Sequence, residues 1–158
     1  MTNDPFPPCQ GPDPAPTRAK FTIPAGAIDS HAHIFGTPEQ YDYSPRRGYT
    51  PPPATLDDYR RLHQALGGID RAVLTQPSVY GTDNTCMMDA VAAWGEGCRA
   101  VVAVDADITD RALQEFHEQG ARGARVNIVD KGGNPFSDIA AVRRFTERLK
   151  DLGCVRRA

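Results

Sequence analysis

The sequence predicts an α/β fold built from parallel βα units. Short apolar runs alternate strictly with amphipathic stretches, four of each. The second to fourth runs recur about every 25–30 residues, the size of one strand plus one helix. A run such as Arg71-Ala72-Val73-Leu74-Thr75 reads as a continuous apolar strand. That is the pattern of a parallel sheet buried under helices.

Composition sets the outer bounds. The 158 residues suffice for one domain with a real core. Lys plus Arg total 18 and Asp plus Glu total 20, a net charge of −2 that leaves no nucleic-acid footprint. No apolar run approaches the roughly 20 residues of a membrane span. The N-terminus shows no basic-then-apolar signal pattern, so a cytoplasmic protein is the expectation. Cys9, Cys86, Cys98 and Cys154 form no C-x-x-C pair and read as reduced thiols.

Residues 1–22 hold Pro5, Pro7, Pro8, Pro12, Pro14 and Pro16, and are expected to form a disordered or surface-wrapping leader. The first strand is predicted within Phe21–His33. A long loop follows to about Ala54, with Tyr41, Tyr43, Arg46, Arg47 and Tyr49 in it. Long loops of this kind are often functional, although Tyr41 and Tyr43 read better as cover for the sheet rim. Thr55 caps the first helix, with Asp58 three residues on as a variant of the capping box. Leu56, Tyr59, Leu62 and Leu66 mark its inner face, and Gly67-Gly68 ends it. The second strand is Arg71–Thr75. Gly81 to Asn84 opens a second helix with Met87, Met88, Val91 and Trp94 inward, Asn84 reading as its N-cap. Arg99–Val104 is the third strand. Thr109 caps a third helix with Leu113 and Phe116 inward and Gly120 at its end. Gly123–Val129 is the fourth strand, and a fourth helix is predicted from about Ser137 to Leu152.

Such alternation fits an open doubly wound sheet or a closed barrel. The glycine-rich phosphate loop expected after the first strand of an open nucleotide-binding sheet is absent. A (β/α)8 barrel takes about 250 residues, so the chain supplies about four of the eight units, a half barrel.

The chemistry gathers at the end of the first strand, in Ala27-Ile28-Asp29-Ser30-His31-Ala32-His33. Alternation puts His31 and His33 on one side of a strand. Two imidazoles there can share a metal, polarise one carbonyl or hold one water. The bland alternative is chance spacing on a satisfied strand. Arg125 sits in an otherwise apolar strand and must find an anion or several carbonyls. A bound carboxylate suits its fork; a structural ion pair with Asp29 or Asp105 is the alternative. His63 and His117 fall in outer helices and read as surface or helix-packing residues.

GAIDSHAHIFG (26–36), YSPRRGYTPPPA (43–54), QPSVYGTDN (76–84) and GARGARVNIV (120–129) together resemble the amidohydrolase superfamily, in its lactone-hydrolysing, metal-dependent-hydrolase-like branch. The resemblance runs from about residue 24 to 153, so that residues 23–153 correspond to the N-terminal half of a TIM barrel and 154–158 to an abrupt, truncated end. It implies a hydrolase of a lactone or ester of a small carboxylic acid. It places His31 and His33 at the substrate carbonyl, with Tyr49, Ser78, Arg125 and Lys131 binding an anionic substrate. In metal-using relatives the histidine pair ligates zinc; in the lactonase branch it works without a metal, so either no cofactor or one divalent metal is expected. The resemblance puts a later histidine and a catalytic aspartate in the second half of the barrel. A second arginine of the family's pattern is replaced here by Lys131, which binds as a point charge rather than a fork. Tyr49 and Ser78 have plainer readings, as rim packing and as a turn residue. Two other functions stay open: a decarboxylase on the same scaffold, and a non-catalytic half barrel whose open edges pair with a second copy.

Overall fold

The computed structural model describes residues 5–127, 136 and 138–151. Four strands, β1 (Ile28–Ala32), β2 (Arg71–Thr75), β3 (Cys98–Val102) and β4 (Ala121–Ala124), alternate with α1 (Leu56–Leu66), α2 (Thr85–Trp94), α3 (Asp110–Glu118) and α4 (Ile139–Asp151). The sheet order is β1-β2-β3-β4 and every neighbouring pair is parallel. Right-handed crossovers between consecutive parallel strands place the connecting helices on one face. The predicted α/β half barrel is the observed architecture.

Local chemistry explains each boundary. The Thr55 hydroxyl accepts the Asp58 N–H and the Asp58 carboxylate accepts the Thr55 N–H, a complete capping box. Gly67 closes α1 at φ 114°, a left-handed turn that favours glycine. Thr109 caps α3 by accepting the Ala112 N–H at 3.2 Å.

β2 and β3 pair residue for residue from Ala72↔Cys98 to Thr75↔Val101. Ala72, Leu74, Cys98, Ala100 and Val102 alternate along them and are buried beneath the helices. Met87, Met88 and Val91 of α2, Leu113 of α3, and Phe145 and Leu149 of α4 join the same core. Val73 and Val101 face the other way and are only half-buried. That face, with Ile28 50 % exposed, is uncovered among the described residues.

Several boundaries differ from the sequence reading. β1 occupies only Ile28–Ala32 of the predicted 21–33 stretch, because a turn with the Ala27 N–H donating to the Pro24 carbonyl precedes it, and Phe21 is exposed. β3 ends two residues early, at Val102, and β4 begins and ends early, at Ala121 and Ala124. Residues 128 and 129 of the predicted fourth strand, and Ser137 and Leu152 of the predicted fourth helix, lie outside the described residues. Leu62 does not join the inner face of α1; it is exposed, while Tyr59 is buried there as expected and His63 is buried beside it. Asn84 sits at the N-cap position of α2 without capping it. Its amide instead clamps the end of β3, donating to the Ala103 carbonyl at 2.8 Å and accepting the Ala103 N–H at 2.9 Å.

The segment before β1 lies along the long loop. The Thr50 N–H donates to the Pro7 carbonyl at 2.9 Å, and Arg47 stacks over the Phe6 ring at 4.3 Å. Among the described residues Cys9, Cys86 and Cys98 are free thiols, and no helix is long and apolar enough to cross a membrane.

Candidate active site

β1 departs from its neighbours. Asp29 pairs with Ala72 and Ala32 pairs with Leu74, so three steps on β1 oppose two on β2. One extra residue in a strand is a β-bulge, and it reverses the side to which later residues point. Asp29, aligned with Ala72, therefore faces the helices. His31 and His33 face the open side, which strict alternation from Asp29 would have forbidden.

The structure brings three of the predicted site residues together. The His31 and His33 rings lie edge to face, with centroids 5.2 Å apart. His33 Nδ1 donates to the Thr75 carbonyl at 2.7 Å, and Arg125 Nη1 donates to the Gln76 carbonyl at 2.6 Å. Thr75 and Gln76 are consecutive at the C-terminal end of β2, so one strand end holds the imidazole and the guanidinium side by side. Among the described residues Arg125 pairs with no carboxylate. The alternative partners fail for separate reasons: Asp29 is taken by His63 at 3.3 Å, and Asp105 accepts the Thr82 hydroxyl at 3.2 Å. His31 is exposed, and its ring nitrogens bond nothing among the described residues.

Electrostatics separates the two imidazoles. Burial holds His33 below the ordinary imidazole value; the Thr75 carbonyl opposes this, and Arg125 and His31 add to the lowering. His33 is thus neutral at pH 7. With its proton on Nδ1, it presents the Nε2 lone pair outward. At Nε2 such an imidazole accepts a proton or a hydrogen bond and does not donate one.

Ser78 is buried in a short 3-10 turn, Ser78–Tyr80, where its carbonyl accepts the Gly81 N–H at 3.0 Å. Tyr49 is half-buried and packs against the core cluster. Lys131 lies outside the described residues. The loop tyrosines cover the rim: Tyr41 donates to Asp89 at 2.9 Å, which pushes its hydroxyl up to about 12, and Tyr43 donates to the Pro51 carbonyl. Beside the outer edge of β1 lies a cavity of about 370 Å³, lined by Asp29, His31, His33 and Tyr59 together with Pro12 and Asp13 of the segment before β1.

A catalytic zinc takes three protein ligands plus a water. His33, anchored through Nδ1 with Nε2 free, has the form of a ligand. Yet no group of three His, Cys, Asp or Glu side chains converges among the described residues. They do not make a complete zinc set.

This arrangement, two imidazoles and an arginine at the C-terminal ends of parallel strands, lies where barrel enzymes carry their chemistry. The sequence profile of the amidohydrolase family matches residues 28–155. The chain belongs to the amidohydrolase family. It is 38 % identical over 116 residues to a 2-pyrone-4,6-dicarboxylate hydrolase of Comamonas testosteroni, covering 73 % of this chain and 38 % of that protein. It is 38 % identical over 147 residues to a 4-sulfomuconolactone hydrolase of Rhizobium radiobacter, covering 93 % and 49 %. The crystal structure of a probable 2-pyrone-4,6-dicarboxylic acid hydrolase from Acinetobacter baumannii, with citric acid bound, superposes with a TM-score of 0.68 at 27 % identity. That match covers 80 % of this chain and 46 % of the other. The chain spans less than half the length of these relatives, in keeping with four βα units of a (β/α)8 barrel.

Sequence reasoning missed two residues. Asp29 was visible only as an alternative partner for Arg125, and His63 only as a packing residue. Asp29 accepts the His31 N–H through Oδ1 at 3.3 Å and meets His63 Nε2 through Oδ2 at 3.3 Å. The available signal was spacing: an acid two residues before His31 on an edge strand.

Proposed function

We propose that the chain carries the carbonyl-activating and anion-binding half of a hydrolase acting on anionic lactones. The observation that carries this is the adjacency of His33 and Arg125 on consecutive carbonyls of β2, with His31 beside them. The two hydrolases above are named for a pyrone dicarboxylate and a sulfonated muconolactone, each a cyclic ester with a strong anionic group. Arg125 suits the anion, and its fork would fix the ring's orientation.

The two histidines then divide the work. His31 donates a hydrogen bond to the lactone carbonyl oxygen and stabilises the oxyanion as water attacks the carbonyl carbon. His33 accepts a hydrogen bond from that water through Nε2. The water's proton passes to a general base, His33 itself or the aspartate that the family resemblance assigns to a later strand. Collapse of the tetrahedral intermediate breaks the ring C–O bond, and the leaving oxygen takes a proton to give the open carboxylic acid. Tyr49, Ser78 and Lys131 are proposed to line the substrate's path, and the small anionic carboxylate is the proposed ligand. No step of this reading runs through a metal, and the enzyme is proposed to be cytoplasmic.

A second reading rests on the sheet edges. Among the described residues β1 and β4 each lack an outer partner, and Ile28 is half exposed on the open face. Such edges favour pairing, so a homo-oligomer of half barrels is the alternative.

Hydrolysis of 2-pyrone-4,6-dicarboxylate and 4-sulfomuconolactone, followed as loss of the lactone chromophore, tests the reading. Turnover that falls on His31→Ala and Arg125→Ala supports it. Turnover unaffected by both substitutions overturns the site, and a stable dimer that binds these anions without turnover favours the second reading.

A further inference from the structure

We infer that Asp29 and His63 form a positioning pair, which fixes the β1 bulge and through it aims His31 and His33 at the open face. The bulge needs a device to hold it. An extra residue on an edge strand frees backbone groups from the ladder, and β1 has no outer neighbour among the described residues to impose a register. Asp29 supplies the missing constraint with both oxygens. Oδ1 accepts the N–H of His31 at 3.3 Å, across the bulge itself. Oδ2 meets Nε2 of His63 at 3.3 Å.

His63 is a rigid anchor for that carboxylate. It is buried on α1, and its Nδ1 lies 3.0 Å from the carbonyl of Ile69, the residue that leads into β2. Its ring packs against Tyr59 at 4.1 Å and Trp94 at 5.3 Å. One imidazole therefore ties α1, the approach to β2 and β1 together. The Tyr59 hydroxyl is buried beside the carboxylate without a well-formed hydrogen bond of its own. Burial pulls the Asp29 carboxyl up, but Tyr59, His63 and the His31 amide together hold it below the usual carboxylate range. The charged form is the one this corner is built around.

Were the bulge to relax, one register step would turn His31 and His33 toward the helix side and break the His33–Thr75 bond. Asp29 and His63 touch no substrate in this scheme; they act through the histidines. The inference rests on His31 and His33 being the working pair, but its test reads ring geometry and not turnover, so the two can fail separately.

The test is histidine-ring NMR on the 158-residue chain. In the native chain His33 should show the Nδ1–H tautomer fixed by the Thr75 carbonyl. His63→Phe keeps the aromatic packing and removes the contact to Asp29. It should abolish that fixed tautomer, leaving His33 averaging between its two forms, and shift the His31 amide. His63→Gln, which keeps a donor toward Asp29, should restore the native signature. Asp29→Asn, isosteric and partly exposed, should loosen His33 in the same way and provides the reading if His63→Phe does not fold. Trp94→Phe, which alters packing on the same ring away from the carboxylate, should leave His33 unchanged. A native His33 tautomer in folded Asp29→Asn or His63→Phe overturns the inference, as does an equal loss in Trp94→Phe.

Discussion

β1 and β2 lie side by side in one sheet and do opposite work. β2 is regular: it pairs one for one with β3, and its Ala72 and Leu74 are fully buried beneath the helices. β1 is an edge strand with a bulge, its residues half-buried or exposed, and it carries His31 and leads directly into His33. Regularity serves the core, because each one-residue step must keep apolar side chains on the covered face. Irregularity serves the site, because an extra residue turns polar side chains away from the helices that would otherwise bury them. β2 contributes to the chemistry only through its end, where the Thr75 and Gln76 carbonyls hold His33 and Arg125.

Substitutions on the two strands should separate cleanly. His33→Ala should lower the rate of lactone hydrolysis by about 10²–10⁴-fold, the usual worth of a positioned acid–base group, with little change in the unfolding midpoint. Leu74→Ala should cost about 2–5 kcal/mol in a denaturant titration, from lost burial plus the cavity left behind. In the folded fraction His33 should keep its tautomer. If Leu74→Ala instead disorders the His33 ring at low denaturant, the division between the strands is wrong.

Thr55→Ala removes one half of the capping box of α1 and should cost about 1 kcal/mol. Because α1 also presents His63 to Asp29, the same variant should raise hydrogen exchange at the His31 amide; unchanged exchange would mean that α1 does not report to β1. The smallest effect is on pH. The folded value of His33 is lowered by burial, so the unfolded chain takes up its proton first as pH falls. Its contribution is intact above about pH 6.5, the unperturbed imidazole value, and declines as pH drops toward the folded value. Asp29, also lowered, adds a further loss below about pH 3.8. His33→Asn should flatten the first of these slopes, measured as unfolding midpoint against pH, and leave the second.

The regular parts of the molecule were legible in the sequence. Arg71–Thr75 matches β2 at both ends, because a buried parallel strand between a helix-stopping glycine pair and Pro77 leaves few other options. The Thr55–Asp58 box and the Gly67 stop marked α1 because capping is local chemistry. The pairing of His31 with His33 was also legible, and Arg125 stood out as a charge in an apolar strand. The bulge was not, since period-two alternation sets Asp29 on the same face as His31 and nothing in the residues alone announces an inserted one. For the same reason Asp29 and His63 escaped notice: their contact joins residues 34 apart in sequence, and only the fold brings α1 against β1. The exposure of Leu62 was hidden too, because helical spacing shows which face is apolar and not whether a neighbouring strand covers it.

The most direct measurement is a titration of the chain, labelled with ¹⁵N at histidine and arginine, with 2-pyrone-4,6-dicarboxylate. It needs no turnover, only that the bulge aims the two imidazoles at an anionic lactone held by Arg125. The expected result is saturable movement of the His31, His33 and Arg125 side-chain signals, with His63 and His117 unmoved. Movement confined to other residues, or none at millimolar ligand, would contradict it.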